Sequence, residues 1–255
     1  MEAMQRGRVV FIGAGPGAAD LITVRGAARL AEADVVLFDA LTDPALRSLA
    51  PRARWVDVGK RGFCDSTGQA TINALLVRYA NEAHVVVRLK GGDPSVFGRL
   101  EEELQALARA GIACEVVPGV TAAIAAAAAT QRPLTRRGHG RSVSLTTAMT
   151  RGGQLQAPRT ADTEVFYMAG RQLAALSRQL LAAGWSADAA VSVVSRAGWP
   201  DQRHSDHSVT TLASAAVLHA GRPAVVTVGA GAARLDATPL PSETTALPQG
   251  IGIAP

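Results

Sequence analysis

The stretch that most limits the fold is Val85-Val86-Val87-Arg88-Leu89-Lys90-Gly91-Gly92-Asp93-Pro94-Ser95-Val96-Phe97-Gly98-Arg99. Three consecutive valines with a basic exit describe a strand buried on both faces, because a strand with one wet face would alternate. Gly91-Gly92-Asp93-Pro94 then turns the chain, Gly by admitting positive φ and Pro by fixing its own φ near a helical start. Beyond Phe97, Leu100, Leu104, Leu107 and Ala108 recur at helical spacing. Glu101, Glu102 and Glu103 fall in that helix's first turn, where its dipole favours negative charge. Bare glycine backbone and a carboxylate are thus presented at the C-terminal end of a parallel strand, the edge at which open α/β sheets hold ligands.

The same strand-then-turn unit recurs along the chain. Arg8 to Ile12 is apolar and runs into Gly13-Ala14-Gly15-Pro16-Gly17-Ala18, with a helix beyond it. Val35 to Phe38 ends at Asp39, and Trp55 to Val58 ends at Gly59-Lys60-Arg61. Gln69 to Glu82 reads as helix, and Ile112 to Val117 as a further strand before Pro118-Gly119-Val120. Strands that are apolar throughout and alternate with helices predict a parallel sheet covered on both faces. The alanine-rich run Thr121 to Thr130 predicts a helix thin enough to pack closely. A second α/β domain follows, with strands at 142–147, 165–168, 190–194 and 224–228, helices at 171–183 and near 211–220, and a polar connection from Ser195 to His207. The expected organisation is an N-terminal domain over 1–119, a C-terminal domain over 120–237 and a frayed tail over 238–255.

Composition narrows the partners. At 48% hydrophobic and 18% charged, with 25 glycines, a 255-residue chain can bury two α/β cores and is not a disordered one. The net charge of +5 rests on many Arg and only two Lys, and favours anionic partners. Aromatics at 4% are too sparse to interleave with a basic face as a nucleic-acid binder requires, so no nucleic-acid partner is expected. Cys64 and Cys114 lie far apart, no leader or membrane-spanning run is visible, and a reduced cytoplasmic protein is the simple expectation. His139, His204 and His207 stand in polar stretches without carboxylate or thiolate at ligand spacing, so no metal site is predicted.

Gly13-Ala14-Gly15-Pro16-Gly17-Ala18 satisfies a dinucleotide fingerprint literally, and Asp39 stands about twenty residues on, where a ribose-binding acid would be. On that stretch alone, a nicotinamide or flavin dehydrogenase is an available reading. Pro16 argues against it, since it removes an amide donor from the loop that would cradle a pyrophosphate.

Three turns taken together point elsewhere. Gly13-Ala14-Gly15-Pro16-Gly17, the Gly91 to Gly98 segment and Pro118-Gly119-Val120-Thr121-Ala122 resemble the class III S-adenosylmethionine methyltransferases of tetrapyrrole biosynthesis, and most of all the branch that methylates uroporphyrinogen III. The likeness continues through Val36 to Leu41, Val58 to Arg61, Gln69 with Ile72-Asn73, Arg132 to Thr135, Val165 to Gly170 and Pro200-Asp201-Gln202. It covers residues 8 to 230. It departs from the family at Arg136, at Ala197 and in the polar run Arg203 to His207.

The resemblance implies two α/β domains with mainly parallel sheets, an active site in the cleft between them, a homodimer and S-adenosylmethionine as methyl donor. Carried over by position, it implies donor contacts at Pro16, Gly91, Gly92, Asp93, Val96, Thr121, Ala122, Met168, Ala197 and Ala224. Asp39 and Lys60 match the positions of proton transfer. The implied acceptor is a tetrapyrrole with eight carboxylates, for which Lys60, Arg61, Arg88, Lys90, Arg132, Arg136, Arg137 and Arg141 are the candidate cations.

Overall fold

The computed structural model describes residues 7–59, 68–148 and 155–235. Five strands make the first sheet: β1 (Arg8–Gly13), β2 (Val35–Phe38), β3 (Arg54–Asp57), β4 (Val85–Lys90) and β5 (Cys114–Val117). They run in the order β3-β2-β4-β1-β5, and every pairing is parallel. Alternate residues of one strand serve opposite faces. Thus Val9, Phe11, Leu37 and Val86 pack under helices α2 (Gln69–Glu82) and α3 (Leu100–Arg109). Val10, Ile12, Val36, Val87 and Leu89 form the core on the other face, together with Leu30 of α1 (Val24–Ala31) and Leu46 of the 3₁₀ segment Pro44–Leu49. The apolar runs of β1, β2 and β4 therefore have the cause inferred from sequence, burial on both faces, whereas the edge strands β3 and β5 are partly exposed.

The second sheet holds β6 (Val143–Thr147), β7 (Thr163–Tyr167), β8 (Ala190–Ser195), β9 (Arg203–Ser208) and β10 (Ala224–Gly229) in the order β6-β7-β10-β8-β9. Only β6 and β7 pair in parallel, while β10 enters between β7 and β8 antiparallel to both. The predominance of parallel pairing thus belongs to the first sheet, and the second is mixed. One face carries α5 (Leu173–Ala182) over Phe166, Val193 and Val226. The other carries α4 (Ala122–Thr130), whose Ala123, Ala125 and Ala126 lie against Val165, Val194 and Val225.

Two segments differ from the sequence expectation. Arg203 to Ser208, read as part of a polar connection, is an edge strand paired antiparallel with β8. His204, exposed, and His207, half-buried, therefore sit on a strand, where His204 Nε2 contacts Ser192 Oγ at 3.1 Å and His207 Nε2 contacts Ser205 Oγ at 2.7 Å. The helix expected near 211–220 is a 3₁₀ turn, Leu212–Ala215, leading into a single turn of α6 (Ala216–His219).

Candidate functional site

The glycine turns leave three neighbouring strands, β4, β1 and β5, at one edge of the first sheet. They are joined to one another through backbone. Gly92 N donates to Gly15 O at 2.7 Å, and Gly15 N to Gly92 O at 3.3 Å. Gly13 and Gly119 touch so closely that a Cβ on Gly13 would lie 2.6 Å from Gly119 Cα, and one on Gly119 would lie 2.4 Å from Gly92 O. A side chain at either position would enter backbone, so glycine is required there by contact.

Asp93 fastens this seam. Gly119 N donates to its Oδ2 at 2.8 Å, and Ser95 N to its Oδ1 at 2.8 Å, with Ser95 Oγ a third donor. Burial pushes the Asp93 pKa up, yet the Ser95 and Gly119 hydrogen bonds outweigh it and hold the carboxyl below its ordinary value. Asp93 thus holds the turn together through both of its carboxylate oxygens.

A cavity of about 250 Å³ opens between this seam and the edge of the second sheet. The first sheet and its turns contribute Pro16, Gly91, Gly92, Asp93 and Val96, and the start of α4 contributes Thr121 and Ala122. From the second sheet come Met168 beyond β7, Ala197 beyond β8 and Ala224 at the start of β10. All ten positions singled out from sequence for donor contact therefore border one space.

Sequence reasoning missed several walls of that space. Leu41, Phe97, Tyr167, Val194, Arg196, Trp199, Pro223 and Val225 also line it. Tyr167 reaches across from β7, its hydroxyl 2.7 Å from Thr121 Oγ1 and accepting from Ala123 N at 3.2 Å. It supplies the N-terminal cap that α4 lacks from its own side chains. Trp199 Nε1 donates to Pro16 O at 3.1 Å, the Arg196 guanidinium stacks 4.3 Å from its ring centroid, and a Cβ on Gly17 would meet its ring at 2.4 Å. The one legible signal for Trp199 was an indole in a polar loop.

The fingerprint glycines are thereby accounted for. Gly13 faces Gly119, Gly15 turns the chain at φ +81° against Leu21, and Gly17 lies under Trp199. Four of the five described non-glycine residues with positive φ, Phe97, Arg99, Met168 and Arg196, also border the cavities of this edge. Such strain concentrates where a surrounding scaffold holds a working geometry.

A second cavity of about 480 Å³ adjoins the first and shares Leu41, Gly91, Val96 and Phe97 with it. Asp39, at the exit of β2, lines this second space. Its Oδ1 accepts from Arg88 Nη2 at 2.6 Å. Arg88 and Lys90, expected as free cations for substrate carboxylates, are instead 2% and 3% exposed and share Glu103, which is fully buried. Arg88 Nε lies 3.0 Å from Glu103 Oε1, and Lys90 Nζ lies 2.6 Å from Oε2. Burial and the neighbouring Arg88 charge lower the Lys90 pKa, against the pull of Glu103.

The other predicted cations divide. Lys60 and Arg61 lie outside the described residues. Arg132 is buried and bound through Nη2 to Asp206 at 2.8 Å, and Arg136 donates to the carbonyls of Ala233 and Arg234, near the Gly229 end of β10 and away from Ala224. Arg137 and Arg141 are exposed. Among the described residues, no three His, Cys, Asp or Glu side chains are grouped to hold a metal ion, and no helix is long and apolar enough to cross a membrane.

Residues 8–216 match the Tetrapyrrole (Corrin/Porphyrin) Methylases. The chain belongs to this family. It is 41% identical over 232 residues to a uroporphyrinogen-III C-methyltransferase of Pseudomonas aeruginosa, a match spanning 88% of this chain and 93% of that protein. It is 43% identical over 235 residues to siroheme synthase 1 of Pectobacterium atrosepticum, but there 90% of this chain spans only 49% of the relative. Among solved structures, the Thermus thermophilus uroporphyrin-III C-methyl transferase complexed with S-adenyl homocysteine matches with a TM-score of 0.77 at 36% identity, covering 88% of this chain and 97% of that one. A cobalt precorrin-4 methyltransferase matches with a TM-score of 0.76 at 30% identity, covering 89% of this chain and 96% of that one. This methylase thus shares its architecture with enzymes of different acceptors, and its higher identity lies with the uroporphyrinogen-III branch.

Proposed function

We propose that this methylase is a uroporphyrinogen-III C-methyltransferase, which transfers methyl groups from S-adenosylmethionine to ring carbons C2 and C7 and gives precorrin-2. The observation that carries the reading is the pair of adjoining cavities, one walled by glycine backbone and apolar side chains, the other bordered by the Asp39 side chain paired with Arg88. Bound in the first cavity, S-adenosylmethionine supplies an electrophilic methyl on a sulfonium. The residues present fit it: bare backbone at Gly91 and Gly92 allows close approach, and Val96, Ala122, Ala197 and Ala224 give dry walls. Pro16, Asp93, Thr121 and Met168 complete the donor set.

The shared wall at Leu41, Gly91, Val96 and Phe97 would let a donor held in the first cavity face an acceptor in the second. Asp39 takes the proton that the ring system releases when its carbon acquires the methyl, and Arg88 holds that carboxylate in place. Lys60, which lies outside the described residues, is assigned by the family resemblance alone to steadying the acceptor. In this reading residues 1–119 and 120–237 act as two domains meeting at the cleft; the segment 238–255, expected from sequence as a tail, lies outside the described residues. The enzyme works as a cytoplasmic homodimer without nucleic acid, and its product feeds siroheme, cobalamin or haem d1 synthesis.

Incubation with uroporphyrinogen III and methyl-labelled S-adenosylmethionine tests the reading. Two labels per macrocycle are expected. No label in uroporphyrinogen III, with label entering a later corrin precursor, would move the chain to the branch of the cobalt precorrin-4 methyltransferase.

A further inference from the structure

Of the three glutamates that open α3, Glu101 and Glu102 are exposed, as charges answering a helix dipole usually are, whereas Glu103 is fully buried. A carboxylate taken wholly out of water survives only with close ionic and hydrogen-bonding partners. Its partners are directional. Oε1 accepts from Arg88 Nε at 3.0 Å and from Gln69 Nε2 of α2 at 3.3 Å, and Oε2 accepts from Lys90 Nζ at 2.6 Å. Gln69 is fixed in turn by Asn73 Oδ1 at 3.0 Å. Arg88 Nη1 is spent on the carbonyls of Leu37 and Leu89, at 3.4 and 3.2 Å. The hydrogen bonds thus leave Nη2 for Asp39.

We propose that Glu103 is a positioning residue for Asp39: anchored between Lys90 and Gln69, it holds the Arg88 guanidinium so that a single nitrogen grips Asp39 Oδ1. Without that anchor, the Arg88 Nε edge is released and the guanidinium is free to turn onto Asp39 with two parallel hydrogen bonds, the geometry Arg and carboxylate favour. A carboxylate captured on both oxygens is withdrawn from the second cavity. Glu103 also cancels one of two buried positive charges that would otherwise face each other. The inference rests on the reading of Asp39 as the proton acceptor.

Steady-state kinetics with uroporphyrinogen III, calorimetry with S-adenosylhomocysteine and a double-mutant cycle test it. Glu103→Gln is expected to lower kcat by about tenfold to a hundredfold while leaving S-adenosylhomocysteine affinity unchanged to within about twofold. That split matters because Lys90 O accepts from Ala14 N at 2.8 Å, beside the glycine seam, so general distortion of β4 would weaken the first cavity too. In an Asp39→Ala background, Glu103→Gln is expected to cause no further loss, since it acts through the missing group. If Glu103→Gln does not fold, Lys90→Met with Glu103→Gln, which removes one positive and one negative charge, takes its place in the cycle.

An unchanged kcat, a parallel loss of S-adenosylhomocysteine affinity, or a full additive loss on top of Asp39→Ala would each overturn the positioning role. If Asp39→Ala alone left kcat intact, the assignment of Asp39 would fall first and the role of Glu103 with it.

Discussion

Asp39 gives one carboxylate oxygen to Arg88 at 2.6 Å and stands at the border of the second cavity. Replacing it with alanine is expected to leave S-adenosylhomocysteine affinity intact while lowering turnover by about 10²- to 10⁴-fold, the usual worth of a positioned general base. Calorimetry and labelled-methyl assays read the two effects separately, and abolished donor binding would remove Asp39 from this role. At Gly92 the demand is on backbone angle more than space. Its φ is +72°, while an added Cβ would meet only Thr121 Cα, at 3.9 Å. Gly92→Ala should therefore fold, at a cost of about 1–2 kcal/mol in a urea melt for the left-handed conformation. It should also lose donor affinity, because the methyl enters the space between Gly92 and Thr121 where the donor is proposed to lie. Retained affinity would show that the donor does not approach Gly92.

At the scale of elements, α4 begins on a hydroxyl borrowed from β7, a strand of the sheet it packs against. Tyr167→Phe removes the acceptor of Ala123 N and the partner of Thr121, and should cost about 1–2 kcal/mol in thermal or urea unfolding. No measurable loss would mean that water caps the helix equally well. The apolar strands were readable in the sequence because burial on both faces leaves no polar residues to confuse the pattern. β9 was not, since Arg203-His204-Ser205-Asp206-His207-Ser208 is polar throughout and its strand state depends on pairing with β8. The antiparallel entry of β10 was hidden for a related reason, because an apolar strand does not encode its own direction. The turns could be placed around one cavity from sequence because glycine spacing at strand ends is local information. The occupation of Arg88 and Lys90 could not, because Glu103 and Asp39 reach them only through tertiary contacts.

Across the whole molecule, the second sheet carries a built-in acid sensitivity. His219 is fully buried between Ser195 Oγ at 2.8 Å and Ser205 Oγ at 2.9 Å. Burial first, then the charges of His207, Arg222, His204 and Arg203, lower its pKa to about 4. The unfolded chain therefore binds this proton at higher pH than the folded one. The stabilisation is whole above the unfolded value of about 6.5 and is lost as pH falls toward 4, a change on the order of 1–3 kcal/mol. Urea midpoints at neutral pH and at the lower end of that window measure it, and His219→Gln should flatten the difference. Asp206, held well below the usual carboxylate range chiefly by its hydrogen bond with Arg132, loses its contribution only at lower pH, so the two groups act in separate windows.

The glycine seam has a consequence for motion. Ligand-binding turns are commonly the first segments of a protein to open and exchange their amide hydrogens with solvent. Here the amides of Ala14, Gly92 and Gly119 are each bonded to a different turn or strand exit, to Lys90 O, Gly15 O and Asp93 Oδ2. Opening any one turn therefore breaks its bond to a neighbouring turn or strand exit. These three amides should exchange as a single slow cooperative unit in hydrogen-exchange mass spectrometry or NMR, with protection close to that of β1 and β4. A site built from loops would then keep time with the core of the sheet.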